Sequence, residues 1–319
     1  MPRPDHHTHL RAVATALFVT MLWSSSWILI RVGLDDEALE PITFAGLRYT
    51  LAAVVLMGWT ASRRDHRHRL GYLDRSTLER LVVLGIVFFA VTQGAQFVAI
   101  DNQPAATASL MLAPTPLLVA AFAGRTLAER ATVRQFVGAT LVVVGAVFYF
   151  SGDLGATAVG MAASIVGLAA GVAGALLGRS VNRTAHVAPV VVTTVSMTVG
   201  AVLLLSAGVV LEGWPSLTPK SIVIIAWLAV VNTAIAFTLW NHSLRCLAAV
   251  ESAAINNTML IQIAILAWLF LGETISAREG AGLILAVLGV VLVQLAGVRS
   301  QEENPATSSD ESGPKASGA

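Results

Sequence analysis

Two indoles, two hydroxyls and a guanidinium recur along one strip of the first apolar run. Thr20, Trp23, Ser24, Trp27 and Arg31 fall at i, i+3, i+4, i+7 and i+11, which gathers them on one side of an α-helix. A face turned to lipid would be Leu, Ile and Val, so this one should look inward. Two indoles and a hydroxyl suit an aromatic-lined solute pocket. They suit equally a tight helix contact through Ser24, Ser25 and Ser26, with Trp27 and Arg31 as anchors at the outer end.

A second group of candidates is amide-rich. Gln93 and Gln96 lie in the third apolar run, and Thr107 and Ser109 in the fourth. Asn232, Thr233, Thr238 and Trp240 lie in the eighth, and Asn256, Asn257 and Gln262 in the ninth. A buried amide in lipid needs a partner, and an interhelical hydrogen bond or a bound solute can supply it. The candidate solute-binding set is therefore Trp23, Ser24, Trp27, Gln93, Gln96, Thr107, Asn232, Trp240, Asn256 and Asn257. Arg48, seven residues after Pro41, is a charge inside a run, which is costly and functional by default. It can hold a solute carboxylate, pair with Asp35, Asp36 or Glu37, or reach out to the interface. A structural or gating charge is the favoured role. Candidate proton couplers are Glu251 and His242, with Asp101 at another span end. Histidine is the side chain whose charge changes near neutral pH. Nothing forms a Walker loop, a His/Glu metal spacing or a Ser/His/Asp set, so no enzyme activity, metal or cofactor is expected.

The elements that must position these groups follow from composition. The 319 residues are 55% hydrophobic and 12% charged, against about 25% charged in soluble domains. That balance points to a polytopic membrane protein. A net charge of +1 gives no global case for nucleic acid, and the single Cys246 excludes an intramolecular disulfide. Ten apolar runs of roughly 18–25 residues are each long enough to cross a bilayer as helix. They are Ala12–Ile30, Pro41–Thr60, Leu81–Ile100, Ala105–Ala123, Gln135–Ser151, Val159–Gly178, Ala188–Leu211, Ser221–Asn241, Ser252–Leu271 and Gly280–Val298. With the N-terminus inside, sixteen of the 20 Arg and Lys fall on the inner side. Only Arg31, Arg48, Lys220 and Arg278 lie outside or within a span. Both termini are thus expected in the cytoplasm. Residues 1–11, with three histidines, are expected as a solvated cytoplasmic tail and 299–319 as a disordered one.

The chain also repeats itself. Leu127, Glu129, Arg134, Gly138 and Gly145 recur as Leu271, Glu273, Arg278, Gly282 and Gly289, at an offset of 144 residues from Leu127 to Leu271. Five spans is an odd number, so the halves 12–152 and 153–298 would enter the membrane in opposite senses. Inverted five-helix halves are a frequent signature of secondary transporters. Gly167, Gly171, Gly174 and Gly178 in the sixth run are expected to allow close helix approach. Pro114 and Pro116 are expected to kink the fourth.

Three stretches carry a family resemblance. They are LWSSSWILIRVGL at Leu22–Leu34, PITFAGLRYTLAA at Pro41–Ala53, and the paired Leu-x-Glu turns at Leu127–Glu129 and Leu271–Glu273. In order, spacing and duplication they resemble the EamA-type ten-helix branch of the drug/metabolite transporter superfamily, over about residues 10–298. The resemblance implies an all-α integral membrane fold with ten transmembrane helices in two inverted-topology five-helix repeats. It implies a cavity between the first, third, fourth, sixth, eighth and ninth spans, and often export. Small multidrug exporters of this superfamily carry an acid in the first helix, and this chain has none between Ala12 and Ile30. The expected function is secondary-active transport of small organic metabolites, amino acids or drug-like solutes, by alternating access and outward across the cell membrane. The alternatives are a facilitator or exchanger and a non-transporting membrane scaffold. Expected partners are the solute, the lipid bilayer, a proton as candidate coupling ion and a second copy of the chain as a homodimer. No nucleic acid is expected.

Overall fold

The computed structural model describes residues 6–63, 73–103, 108–109, 111–127, 132–149, 157–184, 187–271 and 277–302. Thr107, Glu129, Glu273, residues 64–72 of the basic loop and the tail beyond 302 lie outside them. The described residues form helices without strands. In order these are α1 (His6–Asp35), α2 (Pro41–Ser62), α3 (Arg75–Asn102), α4 (Thr115–Thr126), α5 (Val133–Tyr149), α6 (Ala158–Thr184), α7 (Pro189–Leu211), α8 (Pro219–Ser243), α9 (Ala249–Leu271) and α10 (Ala277–Glu302). Among the described residues, seven helices are long and apolar enough to cross a membrane: α1, α2, α3 and α6 to α9. The runs Val133–Phe148 in α5 and Gly280–Val293 in α10 are apolar but shorter. Large apolar side chains such as Phe18, Val54, Val202, Val223 and Phe270 stand exposed around the outside. They form the surface that hydrocarbon would cover.

Three expectations need correction. The fourth run is not one uninterrupted span. Residues 111–114 form a turn, held by Leu112 N–H to Ser109 O and Thr115 N–H to Leu112 O, and α4 begins only at Thr115. Pro114 and Pro116 bring no N–H, so they are tolerated at a helix start and disruptive further in. The N-terminal tail is not wholly solvated, because α1 starts at His6 and His9 is buried. At the other end α10 runs to Glu302, past the predicted Val298.

Helix ends and seams show why these sequences hold their places. α2 starts on Pro41, and Glu212 at the end of α7 accepts from Ile42 N (3.0 Å), Thr43 N (2.7 Å) and Thr43 Oγ1 (2.9 Å). A carboxylate thus meets the free donors and positive dipole end of α2. Gly213 follows at φ 85, a conformation that glycine takes without strain. α7 lies against α2 along the same seam, where a Cβ on Gly208 would stand 2.6 Å from Thr43 Cα. α5 and α10 form another such seam: a Cβ on Gly138 would lie 2.7 Å from Gly289 O, and one on Gly145 2.6 Å from Gly282 O.

Two helices change pitch near their middles. α3 is a π-helix over Gly85–Thr92, and α8 over Val230–Ile235. Each segment holds a threonine hydroxyl on a carbonyl five residues earlier, Thr92 on Val87 O (2.9 Å) and Thr233 on Leu228 O (2.7 Å). π-Segments are rare and favour functional sites. Here they flank the cavity.

Candidate solute-binding cavity

A cavity of about 140 Å³, counted as space open to the centre of a water molecule, lies among α1, α2, α3, α6, α8 and α9, with Leu112 of the turn before α4 and Thr115 at its start also on the lining. By that measure one water needs roughly 10–15 Å³, so the space suits a small organic solute. It runs from Ala99 and Ser164 at one end to Leu84, Gly178 and Leu244 at the other.

One wall is aromatic. Trp23 lies 4.7 Å from Phe237 and 5.1 Å from Trp240 by ring centroids, and Phe237 lies 4.9 Å from Phe89 and 5.9 Å from Phe88. The rings are tilted or edge-to-face, the arrangement their quadrupoles favour. The opposite wall is smooth. Gly167, Gly171, Gly174 and Gly178 of α6 line it, and Gly174 packs directly under the Phe88 ring. The expected small-residue stripe is present, and beyond close packing it leaves room for the cavity.

The candidate residues divide by where their polar atoms go. Trp23, Trp27, Arg48, Gln93, Gln96, Trp240 and Asn256 line the cavity together. Ser24 does not. It is buried, donates to Gln262 Oε1 (2.8 Å), and joins Thr20 and Thr258 in a network that ties α1 to α9. Asn232 sits behind the wall, its side-chain NH₂ donating to Ser25 Oγ (3.0 Å) and Leu22 O, while its backbone carbonyl accepts from Trp23 Nε1 (3.1 Å). Asn257 donates to Ala113 O (2.8 Å), a carbonyl of the turn before α4. These three serve interhelical bonding, the alternative use of the same groups.

Some groups on the wall carry no such bond. Gln96 and Asn256 make no side-chain hydrogen bond among the described residues. Trp27, 1% exposed, has its indole N–H buried and unpartnered. Gln93 accepts from Tyr49 Oη at 2.6 Å, which leaves its NH₂ facing the space. Tyr49, Phe88, Phe89 and Phe237 were not among the sequence candidates. Tyr49 follows Arg48 directly, and the Phe88–Phe89 pair lies inside the π-segment, where a 3.6-residue period does not apply.

The ends of the cavity are tied by polar contacts. At the α1 C-terminal end Arg31 bonds Asp35 (2.6 Å) and Ile100 O (2.7 Å), and Gln103 donates to Ser164 Oγ (2.7 Å). At the other end Asn182 donates to Asn241 Oδ1 (2.6 Å), Asn241 donates to Thr193 Oγ1 (3.0 Å), and Arg179 reaches Leu244 O. Of the proposed couplers, Glu251 is 2% exposed and accepts from Ala248 N (3.0 Å) at the start of α9, one residue from the wall residue Ser252. His242 points to the exterior. Among the described residues no three His, Cys, Asp or Glu side chains gather as metal ligands would.

Comparison with known proteins agrees with this architecture. The profile of the EamA-like transporter family matches residues 10–151 and 159–295. The uncharacterized inner membrane transporter YedA of Escherichia coli (strain K12) is 26% identical over 294 residues, covering 88% of this chain and 90% of that protein. An S-adenosylmethionine/S-adenosylhomocysteine transporter of Chlamydia trachomatis is 24% identical over 287 residues, covering 85% and 84%. A probable amino-acid metabolite efflux pump of Salmonella typhimurium is 24% identical over 290 residues, covering 87% and 92%. One crystal structure superposes with a TM-score of 0.72 at 18% identity, covering 89% of this chain and 98% of that one, which bears on the fold alone. With that profile spanning most of its length, the chain belongs to the EamA-like transporter family, in the drug/metabolite transporter superfamily, and is a multi-pass membrane transporter.

Proposed function

We propose that the protein moves a small organic metabolite, an amino acid or drug-like solute, outward across the cell membrane by secondary-active alternating access. The carrying observation is the cavity itself: an aromatic wall facing a glycine wall, with Gln96 and Asn256 unpartnered on its surface among the described residues. Groups needed only for packing would have found protein partners. Relatives named as an S-adenosylmethionine/S-adenosylhomocysteine transporter and a probable amino-acid metabolite efflux pump support a small organic metabolite as cargo.

The proposal includes ten spans in two inverted halves, residues 12–152 and 153–298, between cytoplasmic termini. The 144-residue offset supports this, since it carries the π-segment of α3 onto that of α8 within a residue at each end. The packing supports it too. α1 lies on α8 and α9, and α6 lies on α3 and α4; α2 pairs with α7 and α5 with α10. Exchanging each helix with the one five places on preserves this pattern, as halves related by an in-plane axis would. The proposed coupling ion is the proton, with Glu251 as its carrier. His242 stands away from the cavity.

The test uses everted vesicles holding a proton gradient, exposed in turn to amino acids, purines and hydrophobic cations. Collapse of the gradient by one class, absent without the protein, is the expected result. If no class collapses it and labelled-solute counterflow also fails, transport is refuted. Counterflow without collapse leaves a facilitator.

A further inference from the structure

Arg48 is a buried cation with no countercharge beside it among the described residues. It is 2% exposed, and it is the one charged side chain among the described residues lining the cavity. Its Nε donates to Thr233 Oγ1 (2.7 Å), and one terminal nitrogen reaches Asn232 O at 3.5 Å. A guanidinium has five N–H donors, so most of the fork is unoccupied. Its remaining close neighbours are the Tyr49 and Phe97 rings, 5.3 and 5.9 Å from the guanidinium carbon. The acids named as alternative partners are engaged elsewhere. Asp35 bonds Arg31 (2.6 Å), and Asp36 and Glu37 face Lys220 at 3.0 and 3.4 Å. Glu212 is held by the start of α2.

Other unpartnered groups on the wall add donors: Gln96 and Asn256 each bring an NH₂ beside one carbonyl oxygen. The Gln93 NH₂ is left over because its oxygen takes the Tyr49 hydroxyl. A cavity with surplus donors and one net positive charge complements a ligand with surplus acceptors and one negative charge. A planar fork matches a carboxylate in two-point geometry, and the Trp23, Phe237 and Trp240 rings beside it suit an apolar or aromatic body.

We infer that Arg48 is the anion subsite of the cavity and that the transported class is organic carboxylates with an apolar or aromatic body. This rests on the transport function proposed above and names its substrate class.

The experiment separates the two. Purified protein in nanodiscs is titrated at neutral pH with three probes of one shape: 3-phenylpropionate, 3-phenylpropanamide and 3-phenylpropylamine. Quenching of the cavity tryptophans reports binding, and thermal unfolding reports folding. The carboxylate should bind about tenfold or more tighter than the neutral amide, as a charge-assisted contact of about 1.4 kcal/mol requires, and the amine weakest. Arg48→Gln should bring carboxylate and amide to equal affinity, while Arg48→Lys should keep part of the preference. Should Arg48→Gln fail to fold, the wild-type ratio of carboxylate to amide decides alone. Equal binding of carboxylate and amide by the wild type overturns the subsite, as does an undiminished preference in Arg48→Gln. Stabilisation by sodium chloride equal to that by sodium 3-phenylpropionate overturns it too, since the site would then hold an inorganic ion. Counterflow of radiolabelled 3-phenylpropionate in proteoliposomes is read separately. Its absence despite carboxylate binding refutes transport and leaves the anion site standing.

Discussion

Along the seam between α5 and α10, Gly138 and Gly289 press against each other's backbone. Across the cavity, Gln96 and Asn256 face open space. Both regions use small residues, with opposite results. In the seam, glycine lets two backbones touch, and a Cβ on Gly289 would lie 2.5 Å from Gly138 O. In α6, a Cβ on Gly171 would meet only Thr92 Cγ2, at 3.7 Å, and one on Gly167 would meet Ala95 Cβ at 3.6 Å and Thr92 O at 4.0 Å, ordinary van der Waals range. Glycine spacing therefore marks contact in one place and vacancy in the other. The difference lies in what the partner helix presents, backbone from α10 or a side-chain tip from α3.

That contrast can be broken in steps of decreasing size. Gly289→Leu should be the harshest change, because the clash is with backbone and cannot be relieved by a rotamer. Overpacking of this kind costs roughly 1–3 kcal/mol or more. Expression and melting temperature should fall, while the surviving folded fraction binds solute normally; impaired binding at unchanged stability would undo the distinction. Trp240→Ala should do the reverse. Its ring closes the aromatic wall beside Trp23, so solute affinity should drop about tenfold, with a smaller loss of melting temperature. Gly171→Ala should leave stability unchanged or raise it by about 0.5–1 kcal/mol. The added methyl narrows the cavity, so transport of the bulkiest accepted solute should fall first. If all solutes slowed equally, the α6 face would be serving motion and not size selection. Gln96→Leu should change stability by less than about 0.5 kcal/mol, since no protein bond is lost, yet weaken solute binding measurably in the same fluorescence titration.

The mildest effect lies outside both regions. Burial pushes the Cys246 thiol, between α8 and α9, up from its ordinary range, against the opposing pull of Arg179 and Arg245. Less thiolate is present at any given pH than for a free cysteine. Alkylation by a soluble maleimide should be slow at neutral pH and accelerate as the pH rises, equally in the wild type and in Gly289→Leu.

Much of this was legible in the sequence because lipid leaves helix as the economical choice for a long apolar run. The spacing of Trp23 and Trp27 placed them on an inward face, and both reach the cavity wall. Ser24 shares that spacing but bonds Gln262 on α9, and no periodicity distinguishes a hydroxyl aimed at a neighbour from one aimed at a void. The same ambiguity runs through the amides. Asn256 and Asn257 are adjacent, yet one lines the cavity and the other holds Ala113 O. The break before α4 was half visible: Pro114 and Pro116 announced a kink, while the structure starts a new helix there. Arg48 was visible as an intramembrane charge. Its lack of a carboxylate partner depended on where Asp35, Asp36 and Glu37 turn in three dimensions.

The π-segment in α3 has a consequence for how such a chain can diverge. Gln93 and Gln96 follow Gly85–Thr92 directly, so their direction depends on how many residues that segment contains. In a helix of uniform α pitch, one residue more or fewer would turn everything downstream by about 100° and carry both amides off the wall; a π-turn takes up such a residue locally, so count and pitch together aim them. Residue count within a helix is thus a heritable variable here, separate from residue identity. A relative with the same wall residues but a helix one residue shorter and of the same pitch would present a different chemical surface to its cargo.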